Sequence, residues 1–100
     1  MLVLQQSEVL KILKNIKHEY QEIGIDIIGL FGSVARNENN PNSDIDILYD
    51  TKKGINNLYD KKQNLKQKLK DIFHTDIDLA SIKYLKPYAK DEIMKDIVYV

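Results

Sequence analysis

Val9, Ile12, Leu13, Ile16 and Tyr20 recur at the i, i+3, i+4, i+7 spacing of one helical face, while Lys11, Lys14 and Lys17 fall elsewhere. The spacing predicts a first helix from a Ser7 cap to about Tyr20. Ile25 to Phe31 is an apolar run too short for a helix before Gly32 intervenes, and it reads as a buried strand. Ser33 is placed to cap a short helix beginning at Val34. Asn37 to Ser43 is rich in asparagine and contains Pro41, residues that favour turns, so this stretch is a loop. Asp44 to Tyr49 then alternates with period two. A strand there places Asp44 and Asp46 on one face and Ile45 and Ile47 on the other.

Further along, Ile55, Leu58, Leu65, Leu69 and Ile72 mark an amphipathic helix over 55–73, whose many lysines form a solvated outer face. Thr75 to Ser81 alternates again and predicts a third strand, with Asp76 and Asp78 on one face and Ile77 and Leu79 on the other. Pro87 opens a last helix with Ile93, Met94, Ile97 and Val98 as its apolar stripe, which serves core or interface. Tyr84, Tyr88 and Tyr99 in this tail read as packing and rim residues. The order helix, strand, short helix, strand, helix, strand, helix predicts an α/β fold, a small mixed β-sheet flanked by helices.

Composition narrows what such a fold does. One hundred residues make a single domain, 1–100, with room for one modest core. Fifteen basic and fifteen acidic residues cancel, so the basic excess of a nucleic-acid binder is missing and nucleic acid is not the expected partner. With no cysteine, no signal peptide and no apolar run near membrane-spanning length, the expected compartment is the cytoplasm, with no membrane partner. Neither a GxxxxGK[ST] loop nor a GxGxxG fingerprint is present, which removes P-loop and dinucleotide-binding folds from contention.

The chemistry concentrates between Gly29 and Asp50. Gly32 lacks a Cβ and lets backbone or a phosphate come close, and Ser33 adds a hydroxyl beside it. Asp44 and Asp46, one pleat apart and about 6 Å from each other, repel by about 2–3 kcal/mol at an effective dielectric of about 20, and aspartate is a poor strand former. A pair placed there needs compensation. A divalent cation supplies it, and carboxylate oxygens suit Mg²⁺ bridged to substrate phosphates. Arg36, one turn after Gly32, can reach a triphosphate or form a structural pair with a loop acid.

Gly32-Ser33, ten residues, then Asp44-x-Asp46, in the wording Phe31-Gly32-Ser33-Val34-Ala35-Arg36 and Ser43-Asp44-Ile45-Asp46, resembles the DNA polymerase β-like nucleotidyltransferase superfamily. It is most similar to the minimal nucleotidyltransferase branch, which includes the MntA-type antitoxins paired with HEPN-domain toxins. The resemblance extends over nearly the whole chain. It implies that the acidic residue of the strand beside the Asp-x-Asp strand, matched by Asp78 in Ile77-Asp78-Leu79, joins Asp44 and Asp46. Asp76 is the competing choice and reads as a surface residue, and His74 next to it as loop, close enough to an acidic strand to touch a nucleotide. In the resembled family a glycine usually follows the arginine. Here Asn37 stands in that place, and asparagine is the next most tolerant residue of a left-handed backbone.

By this resemblance the activity is transfer of AMP from ATP to a hydroxyl with release of pyrophosphate. Asp44, Asp46 and Asp78 are then the catalytic carboxylates and ligands of one or two Mg²⁺ ions, and Gly32, Ser33 and Arg36 hold the nucleotide. The implied acceptor is a tyrosine of a HEPN ribonuclease toxin, bound in a hetero-oligomer. The alternatives are an antitoxin that neutralises its toxin by covering it, without catalysis, and nucleotidyl transfer to a small molecule or RNA.

Overall fold

The computed structural model describes residues 3–100. The chain forms α1 (Gln6–Glu22), β1 (Ile25–Phe31), α2 (Gly32–Ala35), β2 (Ile45–Thr51), α3 (Leu58–Phe73), β3 (Ile77–Ser81), a 3₁₀ turn (Ile82–Tyr84), α4 (Pro87–Asp96) and β4 (Val98–Tyr99). The four strands make one sheet in the order β3-β2-β1-β4. β1 runs antiparallel to β2 and to β4, and β2 runs parallel to β3, so the sheet is mixed as the element order predicts.

One face of the sheet carries the core. Val9, Leu13, Ile16 and Tyr20 of α1 and Leu65, Leu69 and Phe73 of α3 pack on Ile25, Ile27, Leu30, Ile45, Ile47 and Tyr49. Helical and period-two spacing select most of these positions, but Phe73 is buried where the spacing predicts Ile72, which is 40% exposed. The Tyr20 hydroxyl satisfies itself by donating to Asn64 Oδ1 at 2.8 Å, which fastens α1 to α3. Leu48 points the other way by strand alternation. It is fully buried yet lies outside that core cluster, in the strand beside which the 3₁₀ turn runs.

Several boundaries differ from the sequence reading. No Ser7 cap forms: α1 begins at Gln6 after Gln5, with no side-chain bond at its start. α2 begins at Gly32 rather than Val34, behind Phe31, and Ser33 does not cap it. The second long helix begins at Leu58, because Asn57 takes a left-handed backbone (φ +55°) that breaks the helical path. Ile55 consequently sits in the preceding turn and covers Gly24, where an added Cβ would stand 2.9 Å from Ile55 Cδ1. β3 starts at Ile77 rather than Thr75, and β2 at Ile45 rather than Asp44.

The tail differs most. α4 ends at Asp96, so Ile97 and Val98 leave the helical stripe, and Val98 with Tyr99 pairs as β4 along the outer edge of β1. An unpaired row of β1 backbone groups is a stronger draw for a β-branched valine and an aromatic tyrosine than another helical turn. Tyr84, Tyr88 and Tyr99 are 83%, 70% and 60% exposed, which makes them rim residues and not packing ones.

Candidate functional site

The site is assembled where β1 ends, β2 begins and β3 begins. Asp46 occupies the second position of β2, the central strand of the three. Its Cα partner in β1 is Phe31, immediately before Gly32, and its Cα partner in β3 is Asp78. Parallel pairing in that register is what brings two aspartates from strands 32 residues apart in sequence onto neighbouring positions. Asp44 is an exposed residue just ahead of β2, and Asp78 is exposed on the edge strand, while Asp46 is half-buried between them.

Gly32 is bare because Asp46 needs the space. It adopts φ +73°, and a Cβ built on it would lie 2.1 Å from Asp46 Oδ2. Conformation and close approach therefore both demand glycine there. After the four-residue α2, Asn37 takes φ +58° in the position where a left-handed residue ends the turn, and its N–H donates to the Val34 carbonyl at 3.2 Å. The asparagine thus serves as the tolerant substitute that the sequence reading anticipates.

The electrostatics single out Asp46. Burial, then the charges of Asp78 and Asp44, raise its pKa from 3.8 to about 6, and only the charge of Arg36 opposes them. A carboxylate so crowded at neutral pH is short of positive charge. Three carboxylates are an oxygen donor set suited to Mg²⁺. Among the described residues no group of three or more Asp, Glu, His or Cys side chains is placed to hold a metal ion by itself. The donor set and its charge deficit fit a cation bound together with substrate phosphates, the manner in which Mg²⁺ keeps part of its coordination open.

The remaining expected residues fall as follows. Ser33 is half-buried beside Gly32 and caps nothing. Of the two readings open for Arg36, a loop-acid pair is the one seen: Nε donates to Glu38 Oε2 at 3.0 Å and Nη1 to Asp96 Oδ2 at 3.4 Å. Asp76 is a surface residue as expected, 3.4 Å from Lys70 Nζ. His74 ends α3 with a left-handed backbone (φ +53°) and, with Asn42, Lys70 and Asp76, lines an open hollow that reaches Asp44. Sequence reasoning missed Asp96 as a partner of Arg36, since the two stand 60 residues apart and α4 carries no motif that points to the loop.

The nucleotidyltransferase domain model matches residues 9–100. The chain belongs to the nucleotidyltransferase domain family. Among relatives in this family, a protein of Methanocaldococcus jannaschii with the provisional name of protein adenylyltransferase is 38% identical over 96 residues, 94% of this chain and 96% of the relative. The protein adenylyltransferase MntA of Thermococcus cleftensis is 34% identical over 101 residues, covering all of both chains. Among solved structures, a provisionally named minimal nucleotidyltransferase superposes with a TM-score of 0.80 at 21% identity, covering 97% of each chain. The antitoxin complex of a tri-AMPylated Shewanella oneidensis HEPN toxin aligns with a TM-score of 0.57 at 20% identity, over 94% of this chain and 66% of that one. These structural likenesses establish the fold that family members share. Membership of the nucleotidyltransferase domain family, rather than these likenesses, assigns nucleotide chemistry to the chain. Among the described residues, no helix is long and apolar enough to cross a membrane.

Proposed function

We propose that the chain is a Mg²⁺-dependent protein adenylyltransferase, a single domain acting in the cytoplasm as the antitoxin of a HEPN toxin. The observation that carries this reading is Asp46, half-buried over Gly32 and beside Asp78, with a carboxyl pushed up to about 6 by burial and by the charges of Asp78 and Asp44. The relatives named as protein adenylyltransferases support AMP as the transferred group. A HEPN toxin modified by AMP beside an antitoxin of this fold supports the class of acceptor.

In the proposed reaction an acceptor hydroxyl oxygen, a tyrosine on the toxin, bonds to the α-phosphorus of ATP, and the bond from that phosphorus to the bridging oxygen of pyrophosphate breaks. The hydroxyl proton passes to the Asp78 carboxylate, which stands exposed on the edge strand where an acceptor can approach. Asp44, Asp46 and Asp78 would hold the metal. Bound there, Mg²⁺ supplies the positive charge that neutralises triphosphate oxygens during in-line displacement. Gly32 and Ser33 offer backbone N–H groups and a hydroxyl to the β- and γ-phosphates, and the missing Cβ of Gly32 keeps that approach open.

The test is incubation of the purified chain with α-labelled ATP, Mg²⁺ and a co-expressed HEPN protein, beside the Asp44→Asn, Asp46→Asn double mutant. Label on the partner that is lost with the double mutant is the expected result. A stable complex without label would replace catalysis by a covering mode of neutralisation and overturn the reading.

A further inference from the structure

Arg36 leaves the turn after α2 with its guanidinium held by two acids of different origin. Glu38, at 3.0 Å from Nε, belongs to the same loop, whereas Asp96, at 3.4 Å from Nη1, is the last residue of α4. From Asp96 the chain passes through Ile97 directly into β4. That segment lies hard against β1: a Cβ added to Gly29 would stand 2.6 Å from the Val98 carbonyl oxygen and 3.0 Å from Ile97 Cγ1. The Arg36–Asp96 pair therefore ties the loop beside the proposed phosphate position to the strand that covers the outer edge of β1.

Both pairs are open to solvent, with Arg36 40%, Asp96 39% and Glu38 66% exposed, so neither holds the guanidinium tightly. Phosphate oxygens carry more charge than a carboxylate and match the fork of a guanidinium with two parallel bonds. An arginine held loosely by carboxylates next to a phosphate-binding turn is set to exchange one anion for another.

We propose that Glu38 and Asp96 are resident anions on Arg36 that the triphosphate displaces, and that Asp96 thereby couples nucleotide binding to the docking of β4. The proposal rests on the site assignment above. Because coupling between two equilibria is reciprocal, loosening β4 by removing the Asp96 charge favours the nucleotide-bound arrangement.

The experiment is calorimetric titration of the full chain with Mg²⁺ and a non-hydrolysable ATP analogue, for wild type, Asp96→Asn, Arg36→Ala and the double variant. Asp96→Asn is expected to bind the analogue about two- to five-fold more tightly, the range that a weak exposed ion pair spans. Arg36→Ala is expected to bind more weakly, with no further change on adding Asp96→Asn. Hydrogen exchange at Val98–Val100 is expected to quicken when the wild type is saturated, and to be quick already in Asp96→Asn.

Weaker binding by Asp96→Asn would make that residue a support for Arg36 and overturn the exchange. An equal gain in the Arg36→Ala background would reduce it to a general charge effect and overturn it as well. Exchange at β4 unmoved by nucleotide would sink the coupling. Failure of every variant to bind the analogue would instead strike the site assignment itself, which distinguishes the two failures.

Discussion

The two ends of β2 hold aspartates on the same face of the same strand, two pleats apart, and they are treated in opposite ways. At one end Asp46 faces Asp78 and Asp44, and its carboxyl is pushed up to about 6. At the other, Asp50 has Lys83 Nζ at 3.1 Å and the Thr51 N–H at 2.8 Å. Burial alone would raise the Asp50 value too, but the Thr51 bond and the bond and charge of Lys83 together outweigh it and hold the carboxyl below the usual range. Lys83 also donates to Thr51, clipping the 3₁₀ turn to the end of β2. A fold that can neutralise a strand aspartate from within does so at Asp50. The same fold provides no such partner for Asp46, and that contrast is why Asp46 is the proposed working group of the pair.

Exchanging each carboxylate for an amide should separate the two ends most sharply. Asp46→Asn is expected to lower AMP transfer on the order of 10³-fold, since a ligand of the proposed cation is lost. Asp50→Asn should leave transfer within about two-fold and lower stability by a few tenths to about 1 kcal/mol, the worth of an exposed pair. Labelled-ATP assays and thermal melts on both variants measure this, and equal losses of transfer would erase the distinction. Gly32→Ala comes next in size. The new methyl meets Asp46 Oδ2 and the residue must keep φ +73°, so a strain cost of about 1–2 kcal/mol and a displaced carboxylate are expected together. Transfer should fall on the order of 10²-fold. An alanine variant with normal transfer would show that Asp46 works from a different position.

Much of this arrangement is legible in the sequence because it is local. The apolar run closed by Gly32, the polar loop with Asn37 at its turn, and the alternation around Asp44 and Asp46 each declare themselves within a few residues. Asp78 is harder to read: only the parallel register of β3 on β2 sets it beside Asp46, and the sequence alone leaves Asp76 in competition until Lys70 is found paired with it. What escapes sequence reading is non-local. The helical stripe of the tail includes Ile97 and Val98, but the free edge of β1 claims Val98 for β4, and the pairing of Arg36 with Asp96 depends on where that tail docks. Lys83 is equally silent in sequence, because the 3₁₀ turn that carries it has no periodicity to read.

The pH profile sharpens the contrast by a smaller amount. Asp46 holds its proton more tightly folded than unfolded, so its contribution favours the fold below about pH 3.8 and is lost as pH rises through about 6. That rise corresponds to about 3 kcal/mol before solvent screening, and for a half-buried group about 1 kcal/mol is expected to be measurable. Urea melts between pH 4 and 8 should show this decline in wild type and not in Asp46→Asn. Saturating Mg²⁺ should recover part of it at pH 7 in wild type alone, since a ligand that binds only the folded form stabilises it. Parallel profiles for the two proteins, with no metal effect, would remove the charge deficit on which the comparison stands.

Ser33 tests the finest distinction, that between a residue that shapes the turn and one that serves the ligand. Its hydroxyl caps no helix, so Ser33→Ala should leave the melting temperature within about 1 °C of wild type, where loss of a working cap would cost about 1 kcal/mol and several degrees in a domain of this size. The same variant should use ATP about ten-fold less efficiently, the worth of one hydrogen bond to a charged acceptor, with the change in KM because backbone N–H groups of the turn still bind phosphate. Steady-state transfer at varied ATP gives both parameters. A fall in kcat as deep as that of Asp46→Asn would mean that the hydroxyl acts on the reacting phosphorus, and the turn after β1 would then belong to the chemistry as fully as the carboxylates opposite it.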